Sequence, residues 1–105
     1  MDAVFKALAD PTRRKLLDRL RAKGGQSLGD LCTRMGMSRQ AVSKHLAILE
    51  DANLIAVLRQ GREKLHYLNA APIHSIADRW IGKFERGRLG ALAELKRSLE
   101  EAPDG

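Results

Sequence analysis

Apolar positions recur every three or four residues through most of this chain, and one short stretch alternates instead. Val4, Phe5 and Leu8 share a face of a first helix, from about Asp2 to Ala9. Asp10-Pro11 then interrupts it. The Asp10 carboxylate can accept from the N–H groups of a following turn, and Pro11 suits a first helical position, where no N–H is required. A second helix to about Lys23 turns Leu16, Leu17 and Leu20 inward and its basic residues outward, with Gly24-Gly25 ending it. Ser27 and Asp30 stand at capping-box spacing before a short third helix whose apolar side carries Leu28, Leu31 and Met35. Gly36 breaks that helix, and Ser38 caps a fourth that runs to about Asp51.

The period changes after Asn53. Leu54-Ile55-Ala56-Val57-Leu58 and Lys64-Leu65-His66-Tyr67-Leu68 flank Arg59-Gln60-Gly61-Arg62, in which Gly61 supplies the positive φ of a tight hairpin. Two helices joined by a tight glycine-containing turn predict a helix-turn-helix, and a hairpin directly after it is a wing. Helical spacing returns from about Pro72 to Leu99, through Ile73, Ile76, Ala77, Trp80, Ile81, Phe84, Leu92, Leu95 and Leu99. A continuous helix there would be roughly 40 Å long, more than so small a core can cover, so its stripe predicts contact with a second copy. Gly82, Gly87 and Gly90 predict a kink or break, placed near Gly87 to Gly90. The expected fold is mainly α with a small β-hairpin: a winged helix-turn-helix of about five helices plus a two-stranded wing. One domain over residues 1–101 and a disordered tail at 102–105 complete the picture.

Charge narrows the partner. Nineteen Lys and Arg oppose thirteen Asp and Glu, a net charge of +6 that favours a polyanion. The bases cluster in residues 13–23 and again in 34–64, over the second helix and the motif with its wing. One cysteine rules out an intrachain disulfide and fits a reducing compartment, and neither a signal peptide nor a membrane span is legible, so the expected location is cytoplasmic.

The fourth helix carries the chemistry. Val42, Leu46 and Leu49 follow i, i+4, i+7 and face the core, which turns Gln40, Lys44 and Ala47 outward with Ser43 beside them and Arg39 on the flank. Lys or Arg can read guanine O6 and N7, Gln can pair with adenine N6 and N7, and small residues permit close approach in the major groove. A merely solvated face could show the same composition. The turn before it and the wing after it argue for double-stranded DNA, with Ser38, Arg62 and Lys64 holding phosphates.

Three segments, ALADPTRRKLLDRL, SLGDLCTRMGMSRQAVSKHLAILEDANLI and RQGREKLHYLN, together resemble the ArsR-type family of small winged-helix repressors over roughly residues 4–69. The resemblance implies repression of a promoter until an effector intervenes. It also implies a homodimer built from the first and last helices, here through Val4, Phe5, Leu8, Ile73, Trp80 and Phe84. Metal-sensing relatives carry a Cys-x-Cys pair where this chain has Ser27 and Gly29, and Trp80-Ile81-x-x-Phe84-Glu85 resembles a subgroup without metal sites.

Cys32 is the one thiol, and packing is its expected role. His74 and Asp78, one turn apart, are too few for a closed tetrahedral site without a second subunit. His45 is expected to pack or to meet a phosphate, and His66 on the wing carries less still. The resulting expectation is a metal-independent, cofactor-free, homodimeric repressor of a palindromic operator, with its effector open. A metal or redox sensor using His74, Asp78 or Cys32 is the alternative, and a protein-binding winged helix a third. No catalytic constellation is present in the sequence, so no enzyme is expected.

Overall fold

The computed structural model describes residues 1–81 and 86–101. Among them are six helices and one antiparallel pair of strands: α1 (Asp2–Leu8), α2 (Pro11–Ala22), α3 (Leu28–Met35), α4 (Arg39–Asp51), β1 (Ile55–Gln60), β2 (Glu63–Leu68), α5 (Ala71–Trp80) and α6 (Arg86–Glu101). The chain divides into two compact units, Met1–His74 and the residues from Ser75 onward.

The first unit is built as its punctuation dictates. Asp10 caps α2 by accepting from Thr12 N at 2.7 Å and Arg13 N at 3.2 Å. Ser27 and Asp30 form a reciprocal capping box on α3, with Asp30 N donating to Ser27 Oγ at 3.1 Å and Ser27 N to Asp30 Oδ2 at 3.0 Å. Ser38 accepts from Ala41 N at 3.2 Å to open α4. Between α3 and α4 the chain reverses at Gly36, whose φ of 63° is left-handed and selects glycine. Val4 and Ala7 from α1, the three leucines of α2, Leu31 of α3, and Val42, Leu46 and Leu49 of α4 bury a shared core, which Leu54 and Ile55 extend to the wing.

The wing pairs Ile55 with Leu68 at its base and Gln60 with Glu63 at its tip, leaving Gly61 (φ 62°) and Arg62 as a two-residue turn. Asn69 closes the base: its N–H donates to Leu54 O at 2.8 Å and its side-chain amide to Asn53 O at 2.9 Å.

α2 ends at Ala22, at the expected boundary near Lys23, which is already extended. Other expectations are corrected or extended. Gly24-Gly25 does more than end a helix, because it passes beneath Tyr67: a Cβ on Gly24 would stand 2.9 Å from Tyr67 Cδ1. There Gln26 and His66 form an isolated bridge, so the wing has a third, one-residue edge. Among the described residues, the region expected as one long helix carries two helical segments, α5 ending at Trp80 and α6 starting at Arg86, so the expected count of about five helices stands at six. Gly87 and Gly90, the expected break, lie inside α6. The helix propensity cost of a glycine, about 1 kcal/mol, is small enough for the flanking helix formers to override. The tail at 102–105 lies outside the described residues.

Candidate nucleic-acid interface

Half a turn of helix separates the core side of α4 from its outward side. With Val42, Leu46 and Leu49 buried, Arg39, Gln40, Ser43, Lys44 and Ala47 are all exposed. They fall into two adjoining concavities. Ser38, Arg39, Gln40, Ser43 and Lys44 line the first, together with Leu28 of α3. Arg39, Ser43 and Ala47 also line the second, which runs between α4 and the wing and is closed on its far side by Arg59, Arg62 and Lys64. All seven residues expected to contact DNA therefore border one of two neighbouring hollows, and Arg39 and Ser43 border both.

Sequence reasoning leaves one basic lining residue, Arg59, out of the expected contact set. Arg59 pairs directly with Lys64 across the ladder, on the same face of the hairpin, and both are exposed. Like charges in that relation repel. A polyanion in the groove would relieve the repulsion, which is the signal that cross-strand register adds to composition. Ala47, exposed and shared by both hollows, lets a large partner approach the helix closely. Glu50 and Glu63 also line the wing groove and bound its positive region.

The Ser38 hydroxyl is an acceptor for the cap, which uses an oxygen lone pair and leaves its O–H as a donor suited to phosphate. Asp10 is partly desolvated, which acts against its charged form. The N–H groups of Arg13 and Thr12 and the nearby Arg13 charge outweigh that and hold the carboxyl below its usual range. The Ser27 backbone and hydroxyl do the same for Asp30.

The remaining candidates separate. His66 is buried at 7% exposure, and its Nδ1 donates to Gln26 O at 2.9 Å, so it is a structural tie between wing and α2–α3 link. Gln26, 2% exposed, donates from Nε2 to Arg19 O and Lys23 O and thereby finishes α2. Cys32 is half-buried rather than enclosed. His74 and Asp78 are on α5, and among the described residues no three His, Cys, Asp or Glu side chains are placed to hold a metal ion. Arg13, expected to face outward with the other bases, is instead drawn onto the last carbonyls of α1, reaching Ala7 O at 2.7 Å and Lys6 O at 3.0 Å, while Arg14 is exposed as expected and bonds Leu8 O at 2.7 Å. Of the residues expected at a dimer interface, Val4 is 7% exposed and belongs to the core of the chain itself. Phe5, Ile73 and Trp80 are exposed, Leu8 is half-buried, and Phe84 lies outside the described residues.

Known proteins resemble this chain in sequence and fold. A family model described as a helix-turn-helix domain matches residues 8–57. The transcriptional repressor SdpR of Bacillus subtilis is 37% identical over 84 residues, 80% of this chain and 91% of its own. The arsenical resistance operon repressor of Escherichia coli is 38% identical over 96 residues, 91% of this chain and 81% of its own. This chain belongs to the ArsR family of transcriptional repressors. The fold agrees: an ArsR-like transcriptional regulator from Rhodococcus superposes with a TM-score of 0.72 at 32% identity, over 97% of this chain and 92% of that one. As an ArsR-family protein it is a DNA-binding transcriptional regulator and not an enzyme. Within such a regulator α3 and α4 are the helix-turn-helix and β1–β2 is the wing.

Proposed function

We propose that this ArsR-family regulator works in the cytoplasm as a homodimeric repressor, binds a palindromic operator and needs no metal to do so. The observation that carries the reading is the pair of adjoining hollows on α4: Arg39, Gln40, Ser43 and Lys44 line one, and Arg39 and Ser43 also line the other, opposite Arg59, Arg62 and Lys64 of the wing. Gln40, Ser43, Lys44 and Arg39 read base edges in the major groove, and Ser38, Arg62 and Lys64 hold the flanking backbone. Arg59 joins the backbone set on the strength of its place opposite Lys64.

Dimerisation is supported by large apolar side chains left at the surface: Phe5 at 45% exposure, Trp80 at 48%, Ile81 at 51% and Leu99 at 69%. Exposed apolar area of that kind favours burial against a second copy. A two-fold pair of recognition helices asks for a two-fold operator. Metal independence is supported by Ser27 and Gly29 at the positions where metal-sensing relatives carry their thiols, with the Ser27 side chain engaged in the α3 cap. The relative named for arsenical resistance makes a metal or metalloid response the competing reading, with Cys32, His74 or Asp78 as ligands.

Selection of bound duplexes from a random library, followed by titration of the winner against a scrambled duplex at one salt concentration, tests the proposal. The selected duplex should be a palindrome that binds roughly a thousandfold more tightly. Its affinity should be the same with zinc, cadmium or arsenite as with a chelator. An asymmetric winner refutes the dimeric reading, and a tenfold change with any of the three ions refutes metal independence.

A further inference from the structure

The guanidinium of Arg13 is the meeting point of three helices. Its side chain is only 12% exposed. Nε donates to Ala7 O at 2.7 Å and Nη2 to Lys6 O at 3.0 Å, so one edge grips the C-terminal carbonyls of α1. Nη1 points the other way, to His45 Nδ1 at 3.3 Å, with Asp10 Oδ2 at 3.9 Å. Arg13 belongs to α2, whereas His45 belongs to α4, immediately after Lys44.

The chemistry of this contact is one-directional. Arginine has five N–H donors and no acceptor, so Nδ1 of His45 must offer its lone pair and the ring proton must sit on Nε2. The other attachments of α4 to the core, through Val42, Leu46 and Leu49, are apolar. Such contacts keep the apolar face of α4 turned to the core, and because they have no donor–acceptor direction a hydrogen bond on the flank narrows the rotation about the helix axis further. The bond to Arg13 has a direction and lies on the flank of α4 away from Arg39 and Glu50.

We infer that Arg13, through His45, is a positioning residue for DNA recognition: it sets the rotation of α4 relative to α1 and so the aim of Gln40 and Lys44 at the bases. The role requires no contact between DNA and either Arg13 or His45. The inference rests on α4 being the reading helix. It goes further in making the position of α1, which carries the exposed Phe5, an input to base discrimination.

Two substitutions at His45 separate this role from packing. Asparagine places its Oδ1 near the position of Nδ1 and keeps the acceptor, whereas leucine fills similar space without one. The full chain is used throughout, with the selected duplex and a scrambled one as probes. His45→Leu should lower the ratio of operator to scrambled affinity about tenfold while binding to scrambled DNA stays within twofold. His45→Asn should keep the ratio within twofold of the parent. Arg13→Gln added to His45→Leu should cost no further discrimination, because the two residues act as one unit.

Long-range ¹H–¹⁵N spectra of the DNA-free protein supply a readout independent of binding. They should show His45 as the Nε2–H tautomer, and Arg13→Gln should release the ring to a tautomer mixture. A ring protonated on Nδ1 in the parent overturns the inference. So does a Leu variant with undiminished discrimination, or Leu and Asn variants impaired alike. Equal loss on both duplexes would make His45 a phosphate contact instead, which also overturns it. A parent protein with no duplex preference would defeat the DNA-reading assignment and this role together, whatever the tautomer.

Discussion

Gln40 and Lys44 stand one turn apart on the outward side of α4, and both are exposed. Each has the donor groups of a base reader, and a good base contact is worth about 1–3 kcal/mol of discrimination. Replacing either with alanine is expected to weaken operator binding by that amount and to leave scrambled DNA nearly untouched, as a titration of both duplexes would show. Equal losses would mean that these side chains only hold phosphates. Ser27, by contrast, serves the fold. Ser27→Ala should destabilise it by about 1 kcal/mol through loss of the α3 cap, measured by denaturant unfolding. Residues whose partners lie within three positions are legible in the sequence. Asp10, Ser27 and Ser38 cap as expected, and Gly36 and Gly61 take the positive φ that their turns demand. His66 is not legible, because its partner Gln26 is 40 residues away and the bond follows from tertiary approach alone. Arg13 escapes for the same reason: helical spacing places it with its basic neighbours, while the carbonyls that turn it inward belong to α1.

Helix ends and the wing make the next level of organisation testable. The carboxyls of Asp10 and Asp30 have folded-state pKa values below the ordinary 3.8. Their stabilising contribution is therefore complete above about pH 4, near the unfolded value, and disappears as pH falls through the lower folded values. Thermal unfolding of the parent should lose stability with acidification in that window. Asp10→Asn with Asp30→Asn, which caps without titrating, should flatten that limb of the curve, and an unchanged limb would place the acid sensitivity elsewhere. The wing should speak through salt. Arg59, Arg62 and Lys64 border the groove, so each alanine substitution should reduce the slope of log affinity against log salt by about 0.9 if that side chain neutralises one phosphate. The element boundaries show where pattern reading stops. The 3.6-residue period continues across residues 73–99, yet α5 ends at Trp80 and α6 starts at Arg86, because periodicity reports a shared apolar face and not an unbroken helix axis.

At the scale of the whole molecule, charge and exposed apolar area call for different partners. The net charge of +6 favours a polyanion, and the bases that border α4 and the wing give that attraction an address. Phe5, Trp80, Ile81, Leu95 and Leu99 are the large apolar side chains that a second copy would cover. Trp80→Asp would place an unpaired charge in such an interface and should shift sedimentation from dimer to monomer at micromolar concentration. Operator binding should fall with it, although Trp80 lies far along the chain from α4. The measurement that bears most directly on a pair of α4 faces reading one operator is a hydroxyl-radical footprint on the selected duplex, with the mass of the complex measured in parallel. Two protected patches on one side of the helix, with centres about 34–36 Å or a small multiple apart, and a protein mass of two chains are expected. One continuous asymmetric patch, protected by a single chain, would contradict it.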